Sequence, residues 1–351
     1  MRALRAILAL ATLTAAAHAS AFVRMTTAPQ HPDQGTCLWW RPRSLTYVVN
    51  FSDFKGQGCS DTVARSALVQ ASFQAWAAAT RAGAASPCTD LAIAFGGESA
   101  VTEVGYRQNG ANVNLVVYRH GSCSDPTVVV NPNDPCHATI GACATKYNCW
   151  DHGDGGLTAN TLALTTTSFD ANSGEILDAD VELNGWSGNT STTNGVVKAT
   201  SGWYFTCAGP DKGSCGDPPY GQTGCNWVDV GNTVTHEAGH VIGLDHACVA
   251  AYPPPYDSCP APSPVMAPTA VIGETRRRVL TSDDVEAVCT IYPAGQPTKT
   301  CGSTGTSTAS ATKAAGGGCS TAGQGSLLAL AGLLIARCWR TARRSSDLAS
   351  P

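Results

Sequence analysis

The chain has 351 residues, of which 14% are charged, and a net charge of −4. So sparse a charge set offers no basic field for nucleic acid, which removes that class of partner. Sixteen cysteines, fourteen of them between Cys37 and Cys301, suit an exported protein with up to seven disulfides, and no paired C-x-x-C spacing favours a cysteine–metal cluster instead.

Residues 1–19 have the layout of a signal peptide: Arg2 and Arg5, an apolar run over 7–17, and a small-x-small site at Ala17-His18-Ala19. The run is too short for a good membrane span, so the protein is expected to be secreted or held at the cell surface. Residues 20–36 form a short polar segment. Trp39-Trp40, as core anchors, and the aromatic and β-branched run 45–51 predict a first strand. Residues 61–82 are alanine-rich, with Val63, Ala67, Phe73 and Trp76 among the apolar positions, and predict a long amphipathic helix. Strands are predicted over 91–95, 101–106 and 114–118. One helix between a first strand and later strands predicts an α/β (α+β) fold, a mixed sheet with that helix packed on it.

Residues 120–160 read as a long loop tethered by Cys123, Cys136, Cys143 and Cys149. Two more strands are predicted over 161–169 and 175–183. The second places Asp178, Asp180 and Glu182 on one side, either as a solvated face or as carboxylate ligands for calcium. Residues 185–227, with Cys207, Cys215 and Cys225, read as a disulfide-tied insertion rich in small polar residues.

The densest chemistry lies in His236-Glu237-Ala238-Gly239-His240-Val241-Ile242-Gly243-Leu244-Asp245-His246. Residues four apart share a helix face, so His236 and His240 can reach one metal ion, and Glu237 stands beside them to hold a water. Gly243 allows the chain to turn out of the helix and return His246 as a third ligand. Three protein ligands leave one position open, the arrangement of a catalytic zinc rather than a structural one. Beyond this motif, Cys248 and Cys259 bracket a proline-rich loop that a local disulfide would close. Met266 follows, then Arg276-Arg277-Arg278, read as a solvated charge run, and a helix beginning near 280 capped by Thr281 or Ser282. Residues 294–325 read as a flexible linker containing Cys319, and 326–351 as an apolar segment with a basic end.

These residues resemble the metzincin metalloproteases, and Gly243-Leu244-Asp245-His246 with Met266-Ala267-Pro268 resembles the matrixin branch. A tryptophan ahead of Leu45-Thr46-Tyr47 and a last helix running to Ile291-Tyr292 extend the likeness over residues 37–293, most densely over 228–293. The resemblance implies a twisted mixed sheet with a packed helix, an active-site helix, a methionine turn at Met266 and a C-terminal helix. It implies one catalytic zinc on His236, His240 and His246, Glu237 as general base, calcium near Asp178, Asp180 and Glu182, a polypeptide substrate, and a monomer.

The chain departs from the family in places. The loop before Met266 is long, Ala270 stands where those enzymes place a tyrosine, and Ala163 and Val181 stand where a second zinc site takes histidines, which leaves His152 an ordinary loop residue. No cysteine lies in 20–36 to act as a propeptide latch. The run Gly316-Gly317-Gly318-Cys319, followed by an apolar stretch and arginines, resembles the C-terminal sorting tails of myxobacterial surface proteins, with removal near Cys319. A plain anchor or an apolar tail helix is the other reading, and only this tail would touch a membrane. Against the peptidase reading stand a surface binding protein that keeps the fold without activity, and a zinc hydrolase of other amide bonds. The intact Glu237 opposes the first, and the methionine turn and last helix oppose the second.

Overall fold

The computed structural model describes residues 22–29, 35–52, 54, 62–139, 141–151, 161–185, 190–193, 196–199, 204–207, 227–247, 263–301 and 318–321. The signal segment, His152, the Cys248–Cys259 loop and the apolar tail lie outside these residues. No described helix is long and apolar enough to cross a membrane.

The strands are β1 (Val23–Arg24), β2 (Ser44–Asn50), β3 (Ala92–Glu98), β4 (Asn114–Arg119), β5 (Thr161–Phe169), β6 (Ile176–Asn184), β7 (Thr190–Thr193), β8 (Val196–Ala199), β9 (Tyr204–Thr206), β10 (Trp227–Asp229), β11 (Leu244–Asp245), β12 (Thr269–Ala270) and β13 (Gly318–Thr321). The helices are α1 (Thr62–Ala77), α2 (Ala142–Tyr147), α3 (Val230–Val241) and α4 (Ser282–Ile291). The main sheet runs β12-β13-β5-β6-β4-β2-β3. Its centre is parallel, β2 pairing with β3 and β4, and β4 with β6, while β5 runs antiparallel to β6. The fold is therefore a mixed α/β sheet with a few helices.

Strand β2 alternates as its side chains dictate, with Leu45, Tyr47 and Val49 buried and Ser44 and Thr46 exposed. Helix α1 turns Val69, Phe73 and Trp76 inward, spaced four and three apart. Tyr47 and Phe73 stack with ring centroids 4.1 Å apart, fixing α1 on the sheet. Helix α3 then lies against α1, β5 and β6.

Several expectations are corrected. Residues 101–106 form no strand, because their backbone is claimed by side chains of the sheet: Asn50 donates to Val101 O, Arg119 to Thr102 O, and Gly105 N donates to Asp180. Helix α1 stops at Ala77, five residues early, where the chain turns back so that Cys88 N reaches Ala79 O (2.9 Å) and Cys88 bonds Cys289. The arginine run is not a solvated face. Arg277 is 2% exposed and donates to Ala267 O at 2.7 Å and to Thr269 O, Arg276 pairs with Glu274, and Arg278 pairs with Asp229.

The body is also wider than residues 37–293. β1 pairs with β11, Cys37 bonds Cys301, and Lys299 N donates to Ile291 O at 2.8 Å. Cys123–Cys149 and Cys136–Cys143 tie the loop region into a small second cluster with Val129 and Ala144.

The face of β6 turned away from the main core is polar but buried. Arg119, wholly enclosed, donates to Ala144 O (3.0 Å) and to Glu182 Oε1 (2.6 Å), joining the sheet to the loop above it. Removing one partner of such a pair strands the other charge, which costs about 3–5 kcal/mol. Arg119→Met is therefore expected to lower unfolding stability by about that amount in urea titration, whereas Arg41→Met, whose pair with Glu175 has an exposed arginine, is expected to change it by at most about 1 kcal/mol.

Candidate metal and peptide site

Helix α3 begins at Asp229, whose carboxylate accepts from Asn232 N at 2.6 Å and caps the first turn. Arg278 donates to the same carboxylate at 2.8 Å. Val230, Val234, Ala238 and Val241 face the core, and every residue of the helix is buried. At the far end the last carbonyls have no donor within the helix, so outside groups serve them. The Trp40 indole donates to Val241 O at 2.7 Å and the Tyr292 hydroxyl to Ile242 O at 2.9 Å.

Gly243 ends the helix in a left-handed conformation, φ 90°, and a Cβ there would lie 2.8 Å from Leu38 O. The chain reverses, β11 pairs with β1, and His246 returns to the helix. The rings of His236, His240 and His246 have centroids 4.8, 4.9 and 5.2 Å apart, and their potential ligand atoms lie within 4.8 Å of one another.

The tautomers follow from the partners. His236 Nδ1 lies 2.6 Å from Val265 O and His240 Nδ1 2.7 Å from Leu244 O. A carbonyl only accepts, so both Nδ1 atoms carry the proton and both Nε2 atoms present lone pairs. Those two Nε2 atoms are 3.2 Å apart. His246 Nε2 is buried with no hydrogen-bond partner among the described residues. Burial holds all three imidazoles below their ordinary range, His240 down to about 4, with the neighbouring histidines and Arg277 adding to the effect at His236, and His240 and Arg277 at His246. The three rings bring their ligand atoms close enough together that they could hold one cation.

Glu237 is fully buried, and the Thr165 hydroxyl on β5 donates to its Oε2 at 2.7 Å. Beneath the helix lies Met266. A Cβ on Gly239 would stand 2.2 Å from Met266 Sδ and 2.9 Å from Trp76 Cζ2. The turn carrying Met266 is held by Asp284 of α4, which accepts from Val265 N at 3.0 Å and Thr281 N at 2.8 Å, and by Arg277. Sequence reasoning did not assign Thr165, Trp76, Asp284 or Arg277 to this site. Asp284 was visible only as an acid in a first helical turn, and nothing local marks the other three.

The remaining sequence candidates lie elsewhere. Asp178, Asp180 and Glu182 do share one side of β6, but that side is buried rather than solvated. Asp180 accepts from Gly105 N (2.6 Å) and Leu115 N (2.8 Å), and Glu182 binds Arg119. Among the described residues these three do not converge as a metal-holding group. Burial, with the adjacent Asp178, drives the Asp180 carboxyl well up, and burial raises Asp178 as well. Cys136, His137 and Cys143 do cluster, but the two cysteines are bonded to each other and offer no thiolate. Cys319 lies in β13, within the sheet rather than in a linker.

Comparison of the chain with models of known protein families and with curated proteins finds no match.

Gly239→Ala is expected to be destabilising although alanine normally favours a helix, because the methyl collides with two buried side chains. The purified variant should hold less than half the metal of the wild type by elemental analysis and melt at lower temperature. For Asp178 and Asp180 the folded values lie above the unfolded one, so the unfolded state binds fewer protons and stability falls as pH rises from about 4. Asp178→Asn is expected to raise the melting temperature at pH 7 by about 2–4 °C, with the gain vanishing near pH 4.

Proposed function

We propose that the protein is an exported zinc endopeptidase of the matrixin-like metzincin type, with its fold and methionine turn. The observation that carries this reading is the convergence of three neutral imidazoles on one buried point beside Glu237. The residues fit zinc in particular. Two nitrogens each about 2.0–2.1 Å from a tetrahedral ion lie about 3.3 Å apart, and His236 Nε2 and His240 Nε2 are separated by 3.2 Å. The donor set is all nitrogen, and the Nδ1–carbonyl bonds are the outer contacts that orient zinc-binding histidines.

When bound, zinc supplies a Lewis acid for a peptide carbonyl and lowers the pKa of a water to about 7. Glu237 takes the proton from the attacking water and delivers it to the leaving amine. Thr165 holds Oε2 so that the carboxylate keeps one orientation through both transfers. The antiparallel edge of β5 and the backbone of β12 supply hydrogen-bonding groups for an extended polypeptide. No serine or cysteine nucleophile is needed. Asp180, served by two backbone amides, and Glu182, paired with Arg119, are given no part in this chemistry.

The test compares the purified chain with Glu237→Ala and His246→Ala. Wild type and Glu237→Ala are expected to bind about one zinc each, and Glu237→Ala to cleave an unfolded protein roughly 10²–10⁴-fold more slowly. His246→Ala is expected to lose zinc. Zinc binding in both with cleavage by neither would instead support a binding protein that has kept the fold.

A further inference from the structure

The strand β13 lies where an extended peptide would lie. Gly318 pairs with Leu164, Cys319 with Ala163 and Ser320 with Thr161, antiparallel to β5. On its other side Ser320 pairs with Thr269 and Thr321 with Ala270, parallel to β12. Both walls belong to the site already described. β5 carries Thr165, which binds Glu237, and β12 follows the turn whose Val265 carbonyl accepts from His236. β13 also comes within 8 Å of α3, measured between Cα atoms. Its sequence, Gly-Cys-Ser-Thr, is small, uncharged and free of proline, which suits a strand paired on both edges.

Resting on the peptidase reading above, we propose that residues 318–321 are a ligand of the chain's own peptide groove, holding the enzyme latent until the C-terminal segment is displaced. The tether makes this effective. Cys301 is bonded to Cys37, so the segment is attached to the body only seventeen residues before it reaches β13. That length spans at most about 55–60 Å, and short tethers give effective concentrations of order millimolar. A four-residue strand binding at only about 0.1 mM would then fill the groove roughly 90% of the time. Latency of this kind is partial and competes with substrate.

The experiment uses the full chain loaded with zinc. One form carries Cys319→Pro with Ser320→Pro. The pairing register shifts between Cys319 and Ser320, so both consecutive amides are removed, whichever wall each one faces. A second form carries an inserted site for a specific protease within 302–317, so that the segment can be cut and dialysed away from a protein that has already folded. Both are expected to show kcat/KM on a quenched fluorescent peptide about tenfold above the parent, through KM. A synthetic peptide of residues 314–325 is expected to inhibit the cut enzyme competitively. Hydrogen exchange at 161–165 and 269–270 is expected to be slow in the parent and faster in both altered forms.

Unchanged kcat/KM and unchanged exchange would overturn the proposal and leave the peptidase reading intact. Faster exchange with no cleavage by any form would keep the occupancy but overturn both peptidase action and latency. Rapid cutting of the parent within 318–321, absent in Glu237→Ala, would make the segment a substrate and overturn its role as a latch.

Discussion

The structure depends on keeping a polar helix dry. Helix α3 buries two imidazoles and a carboxylate along with its whole backbone, in surroundings where an unmet polar group costs about 1–3 kcal/mol. Almost every other element can be read as an answer to that demand. Asp229 closes the first turn of the helix, Trp40 and Tyr292 reach its last carbonyls, and the carbonyls of Val265 and Leu244 fix the two imidazoles. Those donors and acceptors come from the N-terminal region, from the residues flanking the helix, from the turn carrying Met266 and from just past the end of α4. The site is therefore held by contacts that cross most of the chain, and the Cys37–Cys301 and Cys88–Cys289 bonds close the same long loops covalently.

What was legible in the sequence was what repeats locally. The alternation of β2, the inward stripe of α1 and the spacing of His236 and His240 each follow from the period of one element, and the glycine at 243 marks the turn that brings His246 back. What escaped depends on partners distant in the chain. The stretch 101–106 has strand-forming residues, yet its backbone groups are used by Asn50, Arg119 and Asp180. Three successive arginines look like surface, and only the fold reveals that Glu274, Asp229 and the carbonyls of 267 and 269 need them. Thr165 is the first of three consecutive threonines on β5, and nothing in that run distinguishes the one bonded to Glu237.

The sheet is used differently on its two faces. Towards α1 and α3 it is apolar and carries the proposed chemistry. Away from them it is a buried polar layer in which Arg119 and the β6 carboxylates bind a loop region that has its own disulfides. The edge of β5 opposite β6 belongs to neither face, and an unpaired edge there would attract another strand. In this chain the strand that meets it comes from its own C-terminal region.

The contact between Met266 and Gly239 has a consequence for redox chemistry. The thioether is 1% exposed and its sulfur fills the space that a side chain on the helix would need. In the folded protein almost none of it is open to an oxidant. A chain oxidised before folding would carry an oxygen on that sulfur, and the helix leaves no volume for the oxygen. Sulfoxide formation before folding would thus work against the native state, while the same dose applied afterwards would meet a sulfur already enclosed.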